Sequence, residues 1–456
     1  MAAKLSSLLF FTGGAAATTV VAATGLYLTR RKSNDEGEEE EEEECIYLDY
    51  NGTTPIYKEV LEAMMPYLTT HFGNPSSSHK FGQAPRNAIE LARTQILQLL
   101  GSTEPSNSIW FTGCGTESDN LAIQLALQSS SHTKNKHIVS SNVEHPAVDL
   151  YLKYLEKEGI ASVTYVPVAN DGRVNPQDMV DALQENTILV TLMLANNESG
   201  ALQPVKAVAQ ECRKRGILMH TDAAQAAGKV SCELADLGFP DMITIVGHKL
   251  GAPKGIAALY VRPGCLEEHK RTIRHIDHGI MLIGGGQEFG RRGGTENTPY
   301  MVGLGFASQH AHQHLAHNAA HMEAMRSRLL RNLTERLGTG DRLLVNGPKN
   351  AHWRLPNTLS IGFKNVHSGI LLAGIGNLVA ASAGAACHSS GGGVSSILTA
   401  MQIPMEYAQG TLRLSLGPNT RASEIDKASR IIADAVEQQW NSILLVQTGG
   451  VFILYF

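Results

Sequence analysis

The sequence predicts an α/β protein with a mainly parallel sheet in a large lobe and a smaller α+β lobe after it. Three observations predict this. From residue 46 short β-rich runs alternate with helical stretches, which implies parallel strands covered by helices on both faces. Near residue 301 the rhythm changes, as a long helical stretch leads into shorter strands. The 456 residues are 43% hydrophobic and 18% charged. That suffices for a sizeable core and excludes wholesale disorder and a multispan membrane protein.

Residues 1–45 read as a separate object. LSSLLFFTGGAAATTVVAATGLYL (5–28) carries no charge and is long enough to span about 30 Å of hydrocarbon at 1.5 Å per residue. Lys4 precedes it, and Arg30, Arg31 and Lys32 follow. This predicts a membrane anchor with the C-terminal bulk in the cytosol. A cleaved signal is the competing account, and an unanchored cytosolic or mitochondrial protein is the alternative. The run DEGEEEEEEE (35–44) is a solvated, self-repelling spacer. The net charge of −5 resides in these ends: residues 45–456 hold 34 acidic and 34 basic side chains. No basic surface for nucleic acid is implied. Six cysteines without close pairs or metal spacing suit a reducing compartment.

The large lobe, 46–300, carries the strand candidates IWFT (109–112), HIVSS (137–141), SVTYVPV (162–168), ILVTLMLA (188–195), GILMHT (216–221), MITIV (242–246) and IAALYV (256–261). Its first 15 or so residues could join the small lobe, 301–440, where QHAHQHLAHNAAHMEAMRSRLLRNLTERL precedes the strands TLSIGF and LRLSL. The four histidines 309–317 read as solvated helix residues rather than metal ligands. The apolar tail 441–456 is too short and interrupted to span a membrane.

Chemistry concentrates at strand ends. GHKLGAPKG (247–255) puts Lys249 just after a buried strand, where open α/β sheets bind ligands. HTDAAQAAG (220–228) puts the carboxylate of Asp222 beside small residues that let a flat ring approach. FTGCGTESDN (111–120) is a strand, a glycine turn and a helix start, an anion cradle for a phosphate. Taken singly, each has an ordinary structural account: a surface lysine, a buried acid, a helix cap. Together they are what pyridoxal phosphate requires: a lysine to bind its aldehyde, a carboxylate for its ring nitrogen and a helix end for its phosphate. SAGAACHSSGGG (382–393) adds Cys387 on a stretch with almost no side chains. It is either a mobile thiol carrier or a flexible surface loop with an incidental thiol.

The words YLDYNGTTP, FGNPSSSH, GTESDNLAI, VEHPAV, ANNESG, HTDAAQAAGK, GHKLGAPKGIAALYVR, GGGQE, GGTENTP, RLPNT and GAACHS follow one another in family order. In them the chain from about 46 to 435 resembles the selenocysteine lyase and cysteine desulfurase family, class V aminotransferases of the fold type I pyridoxal-phosphate enzymes. HTDAAQA, TIVGHK and GAACHS look more like selenocysteine lyase. The resemblance implies a homodimer that takes selenium or sulfur from L-selenocysteine or L-cysteine and leaves L-alanine. It implies that Lys249 holds the cofactor covalently, that Asp222 pairs with the ring nitrogen and Gln225 with the ring oxygen, and that His145 stacks on the ring. Asn197 would lie near substrate and cofactor, and Arg413 would clamp the substrate carboxylate. Gly115, Thr116, His248 and a second subunit's Thr295 would hold phosphate, and Cys387 would assist at the chalcogen. No metal is implied. Val246 departs from the pattern, standing where many desulfurases have a phosphate-binding serine. Two alternatives are a desulfurase passing persulfide to an acceptor protein, as in iron–sulfur assembly, and an inactive membrane-tethered scaffold.

Overall fold

The computed structural model describes residues 45–130, 133–266, 282–338, 340–384 and 393–447. It begins with the short strand β1 (Ile46–Tyr47), followed by helices α1 (Lys58–Thr69) and α2 (Lys80–Leu99). Then comes the alternation expected from the sequence: β2 (Ile109–Thr112), α3 (Gly115–Ser129), β3 (His137–Ser141), α4 (Pro146–Lys157), β4 (Ser162–Val166) and β5 (Thr187–Thr191). It continues with α5 (Val205–Arg215), β6 (Leu218–Asp222), β7 (Met242–Val246) and β8 (Ala257–Val261). All seven strands from β2 to β8 form one sheet in the order β2-β8-β7-β6-β5-β3-β4. β8 alone runs antiparallel to its neighbours. Every residue of β2, β3, β5, β7 and β8 is buried, as a sheet covered on both faces demands.

Alternation along the strands divides the core. Ile138, Leu189, Met242 and Leu259 meet Leu121, Leu125, Val148 and Leu152 of α3 and α4. Their neighbours Val139, Val190 and Ile243 meet Ile89, Ile96 and Val208 of α2 and α5 on the opposite face. Helix ends follow local chemistry. Pro146 opens α4 behind His145, whose ring accepts from the Ala147 N–H. α5 stops at Gly216, where φ is 69°, a left-handed position that glycine takes without a Cβ penalty.

The described residues make one compact unit with a further core towards the C-terminus. Helix α6 (Thr298–Leu337), capped by Asn297, runs through both: Met301, Leu304 and Ala307 belong to the first core, and Leu329, Leu333 and Leu337 to the second. The expected division between 300 and 301 falls in its first turn, ahead of residues that still pack in the first core. Strands β9 (Leu343–Val345), β10 (Thr358–Phe363), β11 (Val379–Ala380), β12 (Ser382–Ala383) and β13 (Thr411–Ser415) follow. β12, β13, β10 and β9 make an antiparallel sheet in that order. It is covered by α6 and by α7 (Ala422–Gln447), whose Ile425, Ile432 and Val436 are buried. β1 pairs in parallel with β11 and sends Ile46 into this second core.

The candidate anchor 5–28, the acidic run, Cys387 and the tail from 448 lie outside the described residues. Among the described residues no helix is long and apolar enough to cross a membrane. His312, His314 and His317 are exposed on α6. The five described cysteines are free thiols.

Candidate active site

A parallel sheet turns the carboxyl ends of its strands to one edge. Here that edge gathers Gly115 and Thr116 after β2, His248 and Lys249 after β7, Asp222 and Gln225 at the end of β6, Asn197 after β5 and His145 after β3. Arg413 reaches the same place from β13. Thr295 is exposed, in the segment before α6.

The convergence is centred on a residue that sequence reasoning passed over. The main-chain oxygen of Asn51 accepts from Lys249 Nζ at 2.6 Å and from Gln225 Nε2 at 3.0 Å. Its side-chain amide donates to the Asn197 carbonyl at 3.1 Å and to Thr358 Oγ1 at 2.9 Å. Lys249 Nζ also donates to the Gly52 carbonyl at 2.6 Å. Among the described residues no carboxylate forms an ion pair with it. Burial, followed by the nearby Arg413 cation, pulls its pKa down to about 8. Asn51 had a legible signal, an Asn-Gly pair just after a short strand. Nothing local announces a partner 198 residues away.

Asp222 is buried, and its Oδ1 accepts from the Ala224 N–H at 2.8 Å. Desolvation pushes its pKa up, opposed by that N–H and by the facing His145 and Lys249. The His145 ring accepts the Ala147 N–H through Nδ1 at 3.2 Å, which puts the ring proton on Nε2. Burial lowers its pKa, so the ring is held neutral. A second buried acid, Asp119, interacts with Asp222; its Oδ1 has no hydrogen-bond partner among the described residues and lies 3.7 Å from His220 Nε2.

Arg413 donates through Nη2 to Asp49 Oδ1 at 2.8 Å and Ser382 Oγ at 3.0 Å, and through Nη1 to the Asn197 carbonyl at 3.3 Å. Its Nε is buried and has no partner among the described residues. A substrate carboxylate would compete with Asp49 and Ser382 for the Nη2 donors, while Nη1 keeps one further N–H to give. Asp49 and Ser382 went unnoticed in the sequence, because nothing local marks a carboxylate and a hydroxyl as partners of a distant arginine.

At the other end, α3 starts at Gly115 with no side-chain cap on Cys114, leaving first-turn N–H groups open to an anion. A Cβ at Gly115 would sit 2.7 Å from Val246 Cγ2. The valine thus packs where a hydroxyl would otherwise face phosphate. His248 bonds Thr53 Oγ1 through Nδ1 at 3.1 Å, and burial takes its pKa down to about 4. Further along, Glu288 of GGGQE is buried and pairs with Arg93 at 2.7 Å, pinning the segment that leads to Thr295.

These residues fit pyridoxal phosphate. Among the described residues, the fit rests on a lysine with a lowered pKa and no ion pair, an uncapped helix start and a buried acid with no cation bonded to it. It also rests on a neutral imidazole beside that acid and an orphaned guanidinium N–H.

Comparison with known proteins gives a consistent result. The family model for class-V aminotransferases matches residues 46–428. A cysteine desulfurase of Trichormus azollae is 40% identical over 394 residues, 86% of this chain and 93% of the relative. The cysteine desulfurase IscS of Clostridium botulinum is 36% identical over 395 residues, 86% of this chain and 95% of the relative. Among solved structures, a NifS-like protein aligns with a TM-score of 0.76 at 32% identity, covering 87% of this chain and 100% of that one. A structure described as SspA in complex with cysteine aligns at 0.67 and 31% identity, covering 82% and 99%.

Proposed function

Because this chain belongs to the class V aminotransferase family, we propose that it is a pyridoxal-phosphate-dependent lyase. Its reaction removes the sulfur of L-cysteine, or the selenium of L-selenocysteine, and leaves L-alanine. The observation that carries this reading is Lys249, an amine held by two main-chain carbonyls at the strand edge that also presents Asp222 and His145. An inactive scaffold has no use for an amine kept near pKa 8.

When bound, pyridoxal phosphate supplies the electron sink for bond breaking at the substrate. Lys249 would hold it and would move the proton at the substrate Cα. A pKa of about 8 leaves free amine available close to neutral pH. Asp222 would hold a proton at the ring nitrogen, and the His145 ring would lie against the cofactor. Arg413 orients the substrate through its carboxylate, with a fork whose two-donor geometry suits that group. Asn197, whose carbonyl is tied to Asn51 and Arg413, lies beside them. Gly115, Thr116 and His248 would receive the phosphate, joined by Thr295 from a second copy. Cys387 assists at the chalcogen, the thiolate being the form that attacks.

A second reading is favoured by the cysteine desulfurase relatives: Cys387 retains the sulfur as persulfide and passes it to an acceptor protein. Steady-state turnover of both amino acids by one purified sample, with a thiol reductant supplying the two electrons that release the chalcogen, tests the first reading, with alanine and sulfide or selenide expected in equal amounts. Absence of alanine from both substrates overturns it. Mass analysis after turnover without reductant, with an acceptor protein added, separates the two: sulfur moved from Cys387 to the acceptor supports the relay, and sulfur that leaves Cys387 only on addition of a thiol reductant supports the first reading.

A further inference from the structure

We propose that Lys229 is a positioning residue that fixes which end of the Gln225 amide faces the cofactor's ring oxygen. The proposal rests on the reading above, in which Gln225 serves that oxygen. Lys229 closes the word HTDAAQAAGK and is only 5% exposed. Among the described residues it pairs with no carboxylate. A buried lysine without a counter-ion is costly unless its hydrogen bonds are made. Its Nζ donates to Gln225 Oε1 at 3.0 Å and lies 3.5 Å from Asn51 Oδ1.

The amide of Gln225 is thereby held at both ends. Oε1 accepts from Lys229, while Nε2 donates to the Asn51 carbonyl at 3.0 Å. That same carbonyl accepts from Lys249 Nζ, so the NH2 end is the one beside the reactive lysine, with one N–H still to give. A flipped amide would set Oε1 against the Asn51 carbonyl and NH2 against the Lys229 amine, two contacts between like groups. Without Lys229 only the first of these penalties remains. The amide then loses its single orientation, and the ring oxygen faces acceptor as well as donor. Burial lowers the Lys229 pKa to about 7, yet the contact survives, since ammonium and free amine both donate to Oε1.

The experiment uses the full chain, prepared without cofactor and then loaded with pyridoxal phosphate. Lys229→Met removes the donor and keeps an unbranched apolar side chain. Lys229→Gln keeps an N–H donor, and Gln225→Leu removes the amide itself. The readouts are the balance of the bound cofactor's visible and near-ultraviolet bands as a function of pH, and the cofactor's dissociation constant. Lys229→Met is expected to shift the band balance in the same direction as Gln225→Leu. Cofactor binding should weaken by about tenfold, the scale of one lost buried hydrogen bond. Lys229→Gln should return the bands to the wild-type position. Adding Lys229→Met to Gln225→Leu should change nothing further, because the lysine acts through the amide.

Wild-type bands in Lys229→Met, or a shift that adds fully to that of Gln225→Leu, overturn the proposal. Folding is followed by the thermal melt of the cofactor-free protein. If the methionine variant does not fold, Lys229→Gln carries the test, and bands at the Gln225→Leu position overturn it. Wild-type protein that takes up no pyridoxal phosphate overturns the underlying reading together with this proposal. Normal uptake with unshifted Lys229→Met overturns the proposal alone.

Discussion

Two side chains divide the proposed chemistry between them, and their loss should look different. With Lys249 as the proposed holder of the cofactor, Lys249→Ala should abolish both the cofactor's characteristic visible absorbance and turnover of either substrate. Cys387 acts after the cofactor is in place. Cys387→Ala should therefore keep the absorbance while release of sulfide with alanine falls by orders of magnitude; selenocysteine, with its weaker bond, should retain more turnover than cysteine. Absorbance and product release measured on both variants check this. Wild-type turnover by Cys387→Ala would make the thiol incidental. The lysine also makes a pH prediction. Burial and Arg413 lower its pKa from 10.5 to about 8, and only the free amine attacks an aldehyde. Capture of pyridoxal phosphate by cofactor-free protein should accelerate as pH rises and level off above about 8. Stopped-flow absorbance reads this, and acceleration continuing beyond pH 10 would mean an unperturbed lysine.

At the scale of elements, the phosphate end depends on how closely α3 approaches β7. Gly115 opens the helix against Val246, and a Cβ there would lie 2.7 Å from the valine Cγ2. Gly115→Ala should therefore displace the helix start, lower the stability of cofactor-free protein by about 1–3 kcal/mol and weaken cofactor binding. Adding Val246→Ala should recover most of both losses by removing the clashing methyl. Urea denaturation and cofactor titration check the pair; a Gly115→Ala protein as stable and as tight as wild type would contradict the packing. Those strands and helices were legible because their signals are local. IWFT, HIVSS and MITIV form where alternating and buried runs predict them. ILVTLMLA is ordered as a strand only over Thr187–Thr191. Its last residues leave the ladder to carry the turn that holds Asn197.

For the whole molecule, two expectations remain to be measured. Thr295 is proposed to serve a second copy's phosphate. It is exposed, in a segment that also exposes Leu282, Ile283 and Phe289, apolar surface that another copy can cover. Sedimentation should show a dimer, and a monomer that holds cofactor and turns over would refute it. The uncharged stretch 5–28 is expected to tether the enzyme. After carbonate extraction the full-length protein should stay with membranes and a version starting at residue 45 should not; full-length protein in the supernatant would refute the tether.

What the sequence determined by itself was whatever is encoded over short distances: strand and helix periods, glycine at the helix starts and turns, and the residue types at strand ends. Those ends share one edge because parallel strands must return on the same side, so Lys249, Asp222, Asn197 and His145 could be grouped from their positions alone. Tertiary structure decided the second layer. Asn51, Asp49 and Ser382 acquire their roles only when β1 and the turn after it are folded back over the sheet edge, against β7 and β13. Their contacts join residues up to 364 positions apart. The pKa of Lys249 was equally out of reach, because it follows from burial and from Arg413. Desolvation is a property of the enclosed volume, and no window of sequence contains it.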